Sequence, residues 1–324
     1  MLSNHKKVLI IGASGSLGEG ICNEISSQHS ITGTYLNNKK KSDKIIYTRL
    51  DITNEQDFNK LDNDYDCVVL IAGAMPATME GYHPNKYFDV NVYGTTNVLE
   101  FCRKNSIKKI IYIMTFSDRY ENFYNGIPIK ADGPATLNYK GDHAIYAISK
   151  VTACELIEHY HQEYGMQTII FRIPTVYCYD NKVDYYVDGQ IKTKAYIKMI
   201  RSIIHTNKVE IWGNKNNAKD MPYIKDFAHL ISLAINNPKA QGIYNAGTGN
   251  PVSLENLVNA MIKVFSDNGK TEIIYKDDNL SQPNFTFDMS KTFLDFSYQP
   301  KYDVEMMLED IKNNLPSELL YDKH

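Results

Sequence analysis

Long apolar runs, paired cysteines and a large excess of charge of one sign are all missing from this sequence. The apolar run near the N-terminus, Val8 to Ile11, ends at Gly12 and is too short for a membrane span or for the hydrophobic region of a signal peptide. The five cysteines are scattered without a C-x-x-C pair, which fits reduced thiols better than a disulfide framework. We therefore expect a soluble, cytoplasmic protein with no membrane partner.

The charge balance and the histidines exclude further classes of site. A formal net charge of -3 supplies no basic field for gripping a phosphate polymer, so no nucleic-acid partner is expected. No metal site is expected either, because His159 and His161 are two residues apart on a predicted helix and face different ways. The 324 residues, 43% of them hydrophobic, suffice for one large domain or two modest ones.

Short, nearly unbroken apolar runs recur along the first half of the chain, mostly separated by segments with helical spacing. Such runs are typical of strands that are covered on both faces of a sheet. They are Val8 to Ile11, Cys67 to Ala72, Ile110 to Met114 and Thr168 to Ile173. This alternation predicts an α/β protein with a Rossmann-like, doubly wound parallel sheet.

The second half of the chain predicts an interleaved, smaller domain. After about Ile173 a stretch rich in Tyr and Asp interrupts the alternation, which resumes with a predicted helix, Asp226 to Ile235, and a predicted strand, Gly242 to Ala246. We interpret residues 1–177 and 223–248 as a dinucleotide-binding domain. Residues 178–222 and 249–324 are then expected to form a C-terminal substrate-binding domain.

A glycine-rich turn follows the first predicted strand directly and leads into a helical pattern. Its G-x-x-G-x-x-G spacing differs from G-x-G-x-x-G and resembles the short-chain dehydrogenase version. Glycine lets the backbone approach a pyrophosphate, whose charge is met by the N–H groups of a helix N-terminus. A turn that holds no ligand is the alternative. The residues of the predicted cradle are Gly12, Ser14, Gly15, Ser16, Leu17 and Gly18.

The end of the second predicted strand, Ser30 to Tyr35, bears on the choice of dinucleotide. An acidic residue at this point would hold the adenosine ribose hydroxyls of NAD, and Tyr35 stands in its place. There is no carboxylate to repel a 2′-phosphate, and Lys39 to Lys41 follow closely. The sequence therefore favours NADP, with NAD as the alternative.

Tyr146 and Lys150 form the candidate catalytic pair. The spacing Y-x-x-x-K occurs twice more, but one copy leaves a strand and the other is interrupted by Pro84, so only this pair shares one face of a long helix. A free tyrosine has a pKa near ~10, and an ammonium at ~4 Å supplies roughly the depression that base catalysis near neutral pH requires. An amphipathic surface pair is the alternative.

A hydroxyl group follows the predicted strand Ile110 to Met114, close to where the catalytic pair is expected. Thr115 comes first and Ser117 two residues later, and either hydroxyl can hydrogen-bond a substrate oxygen. Thr115 is the preferred catalytic group and Ser117 a further substrate contact. The alternative for each is a hydroxyl that only satisfies the strand end.

Together these residues resemble the NAD-dependent epimerase/dehydratase family, the extended short-chain dehydrogenases, over nearly the whole chain. Later segments carry the resemblance further: N-V-Y-G-T at 91–95, R-I-P-T-V-Y at 172–177, Y-I-K-D-F-A at 223–228, Y-N-A-G at 244–247 and D-M-S-K at 288–291. The resemblance implies an NAD(P)-dependent enzyme that acts on a nucleotide-linked sugar. It also implies a homodimer built from the helices that start near Lys86 and Tyr146.

The resemblance implies further contacts with both ligands. Lys219 takes the position of an arginine that often meets the substrate diphosphate, and Thr175 is expected to face the substrate. Trp212 is a candidate for stacking on a nucleotide base, with a place in the core as the alternative. For Asp51, expected near the adenine, the alternative is a solvated strand end. The implied cofactor contacts are Tyr35, Asp51, Ile52, Ala72, Gly73, Ala74, Asn91, Tyr146, Lys150, Pro174 and Val176.

One departure from the family pattern narrows the reaction. Its sugar-nucleotide dehydratases carry Asp-Glu directly after the catalytic Thr, whereas Phe116, Ser117 and Asp118 follow Thr115 here, so dehydration is disfavoured. An epimerase, which oxidises a sugar carbon and reduces it again on its other face, is the first expectation. An NADPH-dependent keto-sugar reductase is the alternative, and a dinucleotide sensor without catalysis is a third hypothesis.

Overall fold

The computed structural model describes residues 5–179, 181–187, 189–267, 269–276 and 283–321. The strands of these residues are β1 (Lys7–Ile11), β2 (Ser30–Tyr35), β3 (Ile45–Arg49), β4 (Cys67–Leu70), β5 (Lys109–Thr115), β6 (Gln167–Ile173), β7 (Asp184–Val187), β8 (Gln190–Thr193), β9 (Lys208–Trp212), β10 (Ala218–Lys219), β11 (Gly242–Asn245), β12 (Val252–Ser253) and β13 (Glu272–Lys276). The α-helices are α1 (Ser16–Ile25), α2 (Pro84–Tyr87), α3 (Gly94–Lys104), α4 (Asp142–Tyr164), α5 (Ala195–Thr206), α6 (Ile224–Asn236), α7 (Leu254–Phe265), α8 (Ser290–Phe296), α9 (Val304–Asn314) and α10 (Ser317–Tyr321). Among the described helices, none is both long and apolar enough to cross a membrane.

Seven strands form one sheet in the order β11-β6-β5-β4-β1-β2-β3, and all neighbouring pairs are parallel. The order runs outward in both directions from β1 and β4, so the chain reverses its winding between these two strands. This confirms the predicted Rossmann-like, doubly wound α/β fold. Ligands of such sheets bind at the carboxyl ends of the strands, beside that switch point.

Strict alternation of buried side chains explains why the sheet is covered on both faces. Val8 and Ile10 of β1 belong to one hydrophobic core, whereas Leu9 and Ile11 belong to another. The first core contains apolar residues of α1 and α6, and the second contains those of α3 and α4. Strands buried on both sides read as unbroken apolar runs, which is why the sequence located them.

The helical region after β4 consists of three different segments. Helix α2 begins with Pro84 in its first turn, where the missing N–H of proline leaves no hydrogen bond unmade. A π-helical segment, Phe88–Tyr93, then connects α2 to α3. Such a segment inserts extra residues into a helix and re-aims its side chains, and here it carries Asn91.

The elements after β6 return to the main sheet as the sequence predicted. Helix α6 covers the expected helix, and β11 pairs with β6 from Gly242 to Asn245. The other strands form three pairs: β7 with β8, β9 with β13, and β10 with β12. Apolar residues of α5, α7 and α9 join the same hydrophobic core as those of β1 and α1. The bounds of the two domains remain a prediction.

Candidate active site

Most of the residues predicted to hold a cofactor follow the carboxyl ends of strands in the main sheet. Gly12 follows β1, Tyr35 ends β2, Ala72 comes two residues after β4 and Thr115 ends β5. Since the strands are parallel, these ends lie along one edge of the sheet. The backbones after β1 and β4 come so close that a Cβ on Gly12 would lie 2.7 Å from the backbone nitrogen of Ala72.

The three glycines of the turn after β1 have different structural roles. Gly12 has a φ of +94°, which favours glycine, and a Cβ on Gly18 would overlap the carbonyl oxygen of Gly12. Gly15 is the N-cap of α1 with an ordinary φ of −76°, and its Cβ position meets only the Gly12 oxygen, at 3.4 Å. The protein itself therefore leaves space beside Gly15, in front of the N–H groups of α1. A dinucleotide pyrophosphate fits this cradle.

The side chain of Asn91 joins the loop after β4 to the helix that carries the catalytic pair. Its Oδ1 accepts a hydrogen bond from the backbone N–H of Ala74 at 2.8 Å, and its Nδ2 donates to the Ala74 carbonyl at 2.9 Å. The same Nδ2 donates to Oγ of Ser149 at 2.9 Å. Asn91 is buried, so these bonds are protected from water. The described contacts give Asn91 a positioning role, and its direct contact with a cofactor remains a prediction.

Tyr146 and Lys150 lie one turn apart near the start of α4, as their spacing predicted. The ring of Tyr146 packs near Tyr87, with 6.1 Å between ring centroids, and the Tyr87 hydroxyl donates to Asp142 at 2.7 Å. This bond fixes the first turn of α4, whose N-cap Gly141 offers no side chain. Lys150 is buried beneath the loop after β4: a Cβ on Gly73 would lie 3.9 Å from its Nζ.

The expected depression of the Tyr146 pKa is wrong for this structure. Burial raises the pKa of Tyr146 to about 12, and a hydrogen-bonding interaction with the Thr115 hydroxyl only partly opposes the rise. Burial also lowers the pKa of Lys150 to about 8. Both changes have one cause, because a low-dielectric environment disfavours the phenolate and the ammonium alike. The sequence argument counted the attraction between the two groups and omitted their desolvation.

Thr115 lies where the sequence argument expected it, at the end of β5 and beside the Tyr146 phenol. Its Oγ1 accepts a hydrogen bond from the backbone N–H of Ser117 at 3.1 Å and donates to Oγ of Ser117 at 3.1 Å. The hydroxyl therefore both closes the turn after β5 and faces the catalytic pair. The structure brings Thr115, Ser117 and Tyr146 together.

A buried ion pair fixes the segment that follows this turn. Both carboxylate oxygens of Asp118 accept hydrogen bonds from Arg172 of β6, the shortest at 2.8 Å. Arg172 also donates to the carbonyl of Ala131 at 2.8 Å and to Oδ1 of Asn245 at 3.2 Å. Both carboxylate oxygens are therefore occupied by contacts within the protein. The nearest acidic residue after Thr115 in the sequence is thus structural.

The residues expected around the adenosine have contacts of their own. Oδ1 of Asp51 accepts from the backbone N–H of Thr53 at 3.0 Å and from its hydroxyl at 2.7 Å, so this carboxylate closes its own loop. Ile52 is buried against Gly94 of α3. Lys40, from the lysine run expected near a 2′-phosphate, pairs with Glu19 of α1 at 2.6 Å. Contact of these residues with a dinucleotide remains a prediction.

Two predicted cofactor contacts, Pro174 and Val176, and one predicted substrate contact, Thr175, lie directly after the end of β6. Pro174 is buried, Thr175 is exposed and Val176 is partly buried directly after that strand. Lys219 lies on β10, where it bridges to Phe285, and the Phe285 ring stacks on Phe116 at 5.2 Å between centroids. This aromatic contact connects the region of Lys219 with the turn after Thr115.

Trp212 is not a core residue, so the alternative that the sequence left open, a place for Trp212 in the hydrophobic core, is wrong. Its side chain is 42% exposed on β9, and its indole N–H donates to Glu210 at 3.0 Å. The five-residue strand β9 alternates buried and exposed positions, and Trp212 falls on the exposed side. Its stacking on a nucleotide base remains a prediction.

Three residues of this site escaped the sequence argument: Tyr87, Tyr112 and Ser149. Ser149 was available from the sequence, because it lies inside the Y-x-x-x-K motif and its hydroxyl donates to the carbonyl of Tyr146 at 2.7 Å. Tyr112 shares the face of β5 with Met114 by simple alternation. Tyr87 precedes the π-helical segment, which no periodic pattern announces.

Comparison with known proteins agrees with this geometry. The family model described as "NAD dependent epimerase/dehydratase family" matches residues 8–247. The chain belongs to this family. As a member of the NAD dependent epimerase/dehydratase family it is an NAD-dependent enzyme. This confirms the family and the enzyme class that the motifs predicted.

Individual relatives of this family member are distant in sequence and close in fold. A UDP-glucuronate 4-epimerase of Thermodesulfobacterium geofontis is 26% identical over 298 residues, covering 89% of this chain and 85% of the relative. A UDP-N-acetylglucosamine 4-epimerase from Bacillus cereus superposes with a TM-score of 0.76 at 18% identity, covering 94% of this chain and 98% of its own. A UDP-glucuronic acid 4-epimerase from Bacillus cereus, solved in complex with NAD, gives 0.72 at 22% identity, with coverage of 95% and 99%. At these identities the structural likeness establishes the fold alone.

The two roles of the glycines can be separated by substitution. Gly15→Ala adds a methyl group that the chain can accommodate, so we expect a stability change of about 1 kcal/mol or less and a loss of dinucleotide affinity of at least tenfold. Gly18→Ala places its methyl group against the backbone and should destabilise the fold by about 1–3 kcal/mol. Urea unfolding and fluorescence titration with NAD measure both quantities. Unchanged affinity in Gly15→Ala contradicts the cradle.

The buried ammonium of Lys150 predicts a pH-dependent cost. Its pKa is about 8 in the folded protein and ~10.5 when unfolded, so between these values the unfolded chain binds more protons. The buried Lys150 ammonium therefore lowers the free energy of unfolding by its full amount below pH 8, and this destabilisation disappears as the pH rises towards 10.5. Relative to Lys150→Met, the wild type should be less stable at pH 7 by about 3 kcal/mol at most, and this gap should shrink at pH 10. Urea unfolding at both values measures it, and a constant gap contradicts the burial argument.

Proposed function

We propose that this protein is a nucleotide-sugar epimerase that acts through a transient keto-sugar at Tyr146, Lys150 and Thr115. One observation carries the proposal: the three groups converge at the carboxyl edge of the sheet, beside the cradle formed by the turn after β1. The UDP-sugar epimerases among the relatives indicate the class of substrate.

The cradle residues fit a dinucleotide, and the described contacts indicate which groups would hold it. The N-terminus of α1 faces the open space beside Gly15, and the loop 72–74 packs against the backbone of Gly12. Asn91 fixes the end of this loop through two hydrogen bonds to the backbone of Ala74. A bound nicotinamide would supply the oxidation and the matching reduction of the sugar carbon.

In the proposed reaction Tyr146 takes the proton of a sugar hydroxyl as the C–H bond of the same carbon is oxidised. The product is a flat ketone, and Tyr146 returns the proton to its oxygen when the carbon is reduced on the other face. With a pKa raised to about 12, the phenol needs nearby positive charge in order to act as a base. Lys150 provides that charge one turn along α4, and Thr115 provides a hydroxyl to orient the sugar oxygen.

The turn after Thr115 supports this reaction over loss of water. A dehydration needs an acid and a base placed to remove a hydroxyl group from the neighbouring part of the sugar ring. Asp118 follows Thr115 closely, but both its oxygens are held by Arg172 inside the protein. The segment therefore offers no acidic group for that role.

The choice of cofactor is a separate proposal, and we assign NAD. The sequence favoured NADP because Tyr35 replaces an acidic residue. In the structure Lys40, one of the lysines expected to meet a 2′-phosphate, is paired with the carboxylate of Glu19 in α1, which supports NAD over NADP. The family is described by its NAD dependence, and one structural relative was solved with NAD. An epimerase also keeps its cofactor, since each turnover regenerates it.

The keto-sugar reductase remains the second candidate, because the same three residues also serve a single reduction. One experiment separates them. The purified protein is incubated without added dinucleotide with UDP-glucuronate, UDP-glucose or UDP-N-acetylglucosamine carrying deuterium at C4. The epimerase should convert at least one of them to its epimer with the deuterium retained. Failure to convert any, together with consumption of NADPH on a keto-sugar, contradicts the proposal.

Tyr146→Phe is the matched variant for that assay, because it removes one hydroxyl and keeps the ring that packs near Tyr87. We expect turnover to fall by at least 100-fold, since general acid–base catalysis contributes typically 10²–10⁴-fold. NAD affinity should change little. Unaltered turnover in this variant would favour a dinucleotide-binding protein without this chemistry.

Denaturing the purified protein and measuring the mass of the released dinucleotide tests the assignment of cofactor. Tightly held NAD is the expected result. An empty protein that binds NADPH more tightly than NADH contradicts it and favours the reductase. The homodimer and the cytoplasmic location are further proposals, which rest on the family resemblance and on five scattered cysteines that include no C-x-x-C motif.

A further inference from the structure

Lys150 is a buried residue, and its ammonium has no ordinary polar partner among the described residues. Within the described part of the chain its Nζ forms neither a hydrogen bond nor an ion pair. A charge removed from water normally requires such partners, because its desolvation is costly. The group that the structure does place against it is an aromatic ring: Nζ lies 4.0 Å from the centroid of Tyr112.

The position of the Tyr112 ring is fixed by the sheet. Tyr112 lies in the middle of β5 and pairs with Leu70 of β4 on one side and with Ile170 of β6 on the other. Its side chain is 1% exposed and points to the face that α3 and α4 cover. A ring held between two neighbouring strands and a helix offers its face to Lys150 without rearrangement.

The hydroxyl of Tyr112 does not account for this arrangement. It lies near Thr95, whose own hydroxyl donates to the carbonyl of Asn91 at 2.7 Å, and it completes no hydrogen bond among the described residues. The ring is therefore the part of Tyr112 that interacts with a charged group. Face-on contact of an ammonium with an aromatic ring is attractive, and more so where water is excluded.

We propose that Tyr112 is a positioning residue whose ring face holds the charged amino group of Lys150 beneath the catalytic tyrosine. The proposal rests on the role of Lys150 in the proposed function and adds the group that keeps this lysine charged and in place. Lys150 sits between the Tyr112 ring and the loop at Gly73, so its amino group is aimed at the site rather than at solvent.

The other titratable groups around Lys150 do not replace the ring. Tyr146 precedes it by one turn of α4 and Cys154 follows by one turn, and burial raises the pKa of both to about 12, so both are neutral near pH 8. Asp118 and Arg172 act on Cys154 from neighbouring elements, but they neutralise each other in their ion pair. The ring face is thus the main attraction for the ammonium.

The test is a titration of Lys150 in variants that differ only in the ring at position 112. Tyr112→Phe keeps the ring and removes the unpartnered hydroxyl, and phenylalanines with one, two or three ring fluorines keep its shape while weakening the negative face. The protein carries ¹³C at lysine Cε, and the Lys150 signal is the one missing from Lys150→Met. The titration needs neither dinucleotide nor substrate.

We expect Tyr112→Phe to titrate like the wild type. Each added fluorine should lower the Lys150 midpoint, by about one pH unit for three fluorines. A midpoint that does not move with fluorination overturns the proposal. The proposal is also overturned if Tyr112→Phe lowers the Lys150 midpoint by as much as the trifluorinated variant does. That result would assign the effect to the Tyr112 hydroxyl.

Folding and function are checked separately. Far-UV circular dichroism and urea unfolding of each variant show whether the fold is kept, and Tyr112→Leu, which loses the ring, should reproduce the shift of the trifluorinated variant. A Tyr112→Leu variant that is folded and titrates like the wild type contradicts the proposal. If the wild type fails to bind NAD or to convert any UDP-sugar, the proposed function fails, while the titration still decides the role of Tyr112.

Discussion

The amide of Asn91 is the constraint on which the geometry of this site depends. It forms three hydrogen bonds in a buried position, two to the backbone of Ala74 and one to Ser149. The loop after β4 and helix α4 are thereby held at a fixed separation. These hydrogen bonds join residues that are far apart in the sequence. The site therefore exists only when β4, the π-helical segment and α4 have come together.

A second theme is the balance between burial and charge at the catalytic pair. Burial raises the pKa of Tyr146 and lowers that of Lys150, which moves both away from the ion pair that a motif suggests. Without a ligand, the tyrosine of such a site is a neutral phenol. A positively charged ligand or a second cation shifts it towards the phenolate, which is its reactive form. The Tyr112 ring opposes the effect of burial on Lys150, because contact with the ring face favours the charged ammonium.

The family supplies the fold and the cofactor class, and the proposed reaction rests on residues at which this member departs from the family pattern. Both carboxylate oxygens of Asp118, the acidic residue that follows Thr115, are bound inside the protein by Arg172. The turn after Thr115 leads instead into an aromatic contact between Phe116 and Phe285, beside Lys219. The same fold serves many reactions, so the assignment of an epimerase rests on these residues and not on the sheet.

The sequence by itself determined the sheet, the glycine turn and the spacing of Tyr146 and Lys150. These features are local: an apolar run buried on both faces, a turn that excludes Cβ atoms and two side chains one helical turn apart are each encoded within a few neighbouring residues. Tertiary structure alone decided the pKa of the catalytic pair, the capture of Asp118 by Arg172, the exposure of Trp212 and the contact between Tyr112 and Lys150. Burial and long-range contacts depend on which strands become neighbours, and the hydrophobic periodicity of the sequence does not specify the order of the strands.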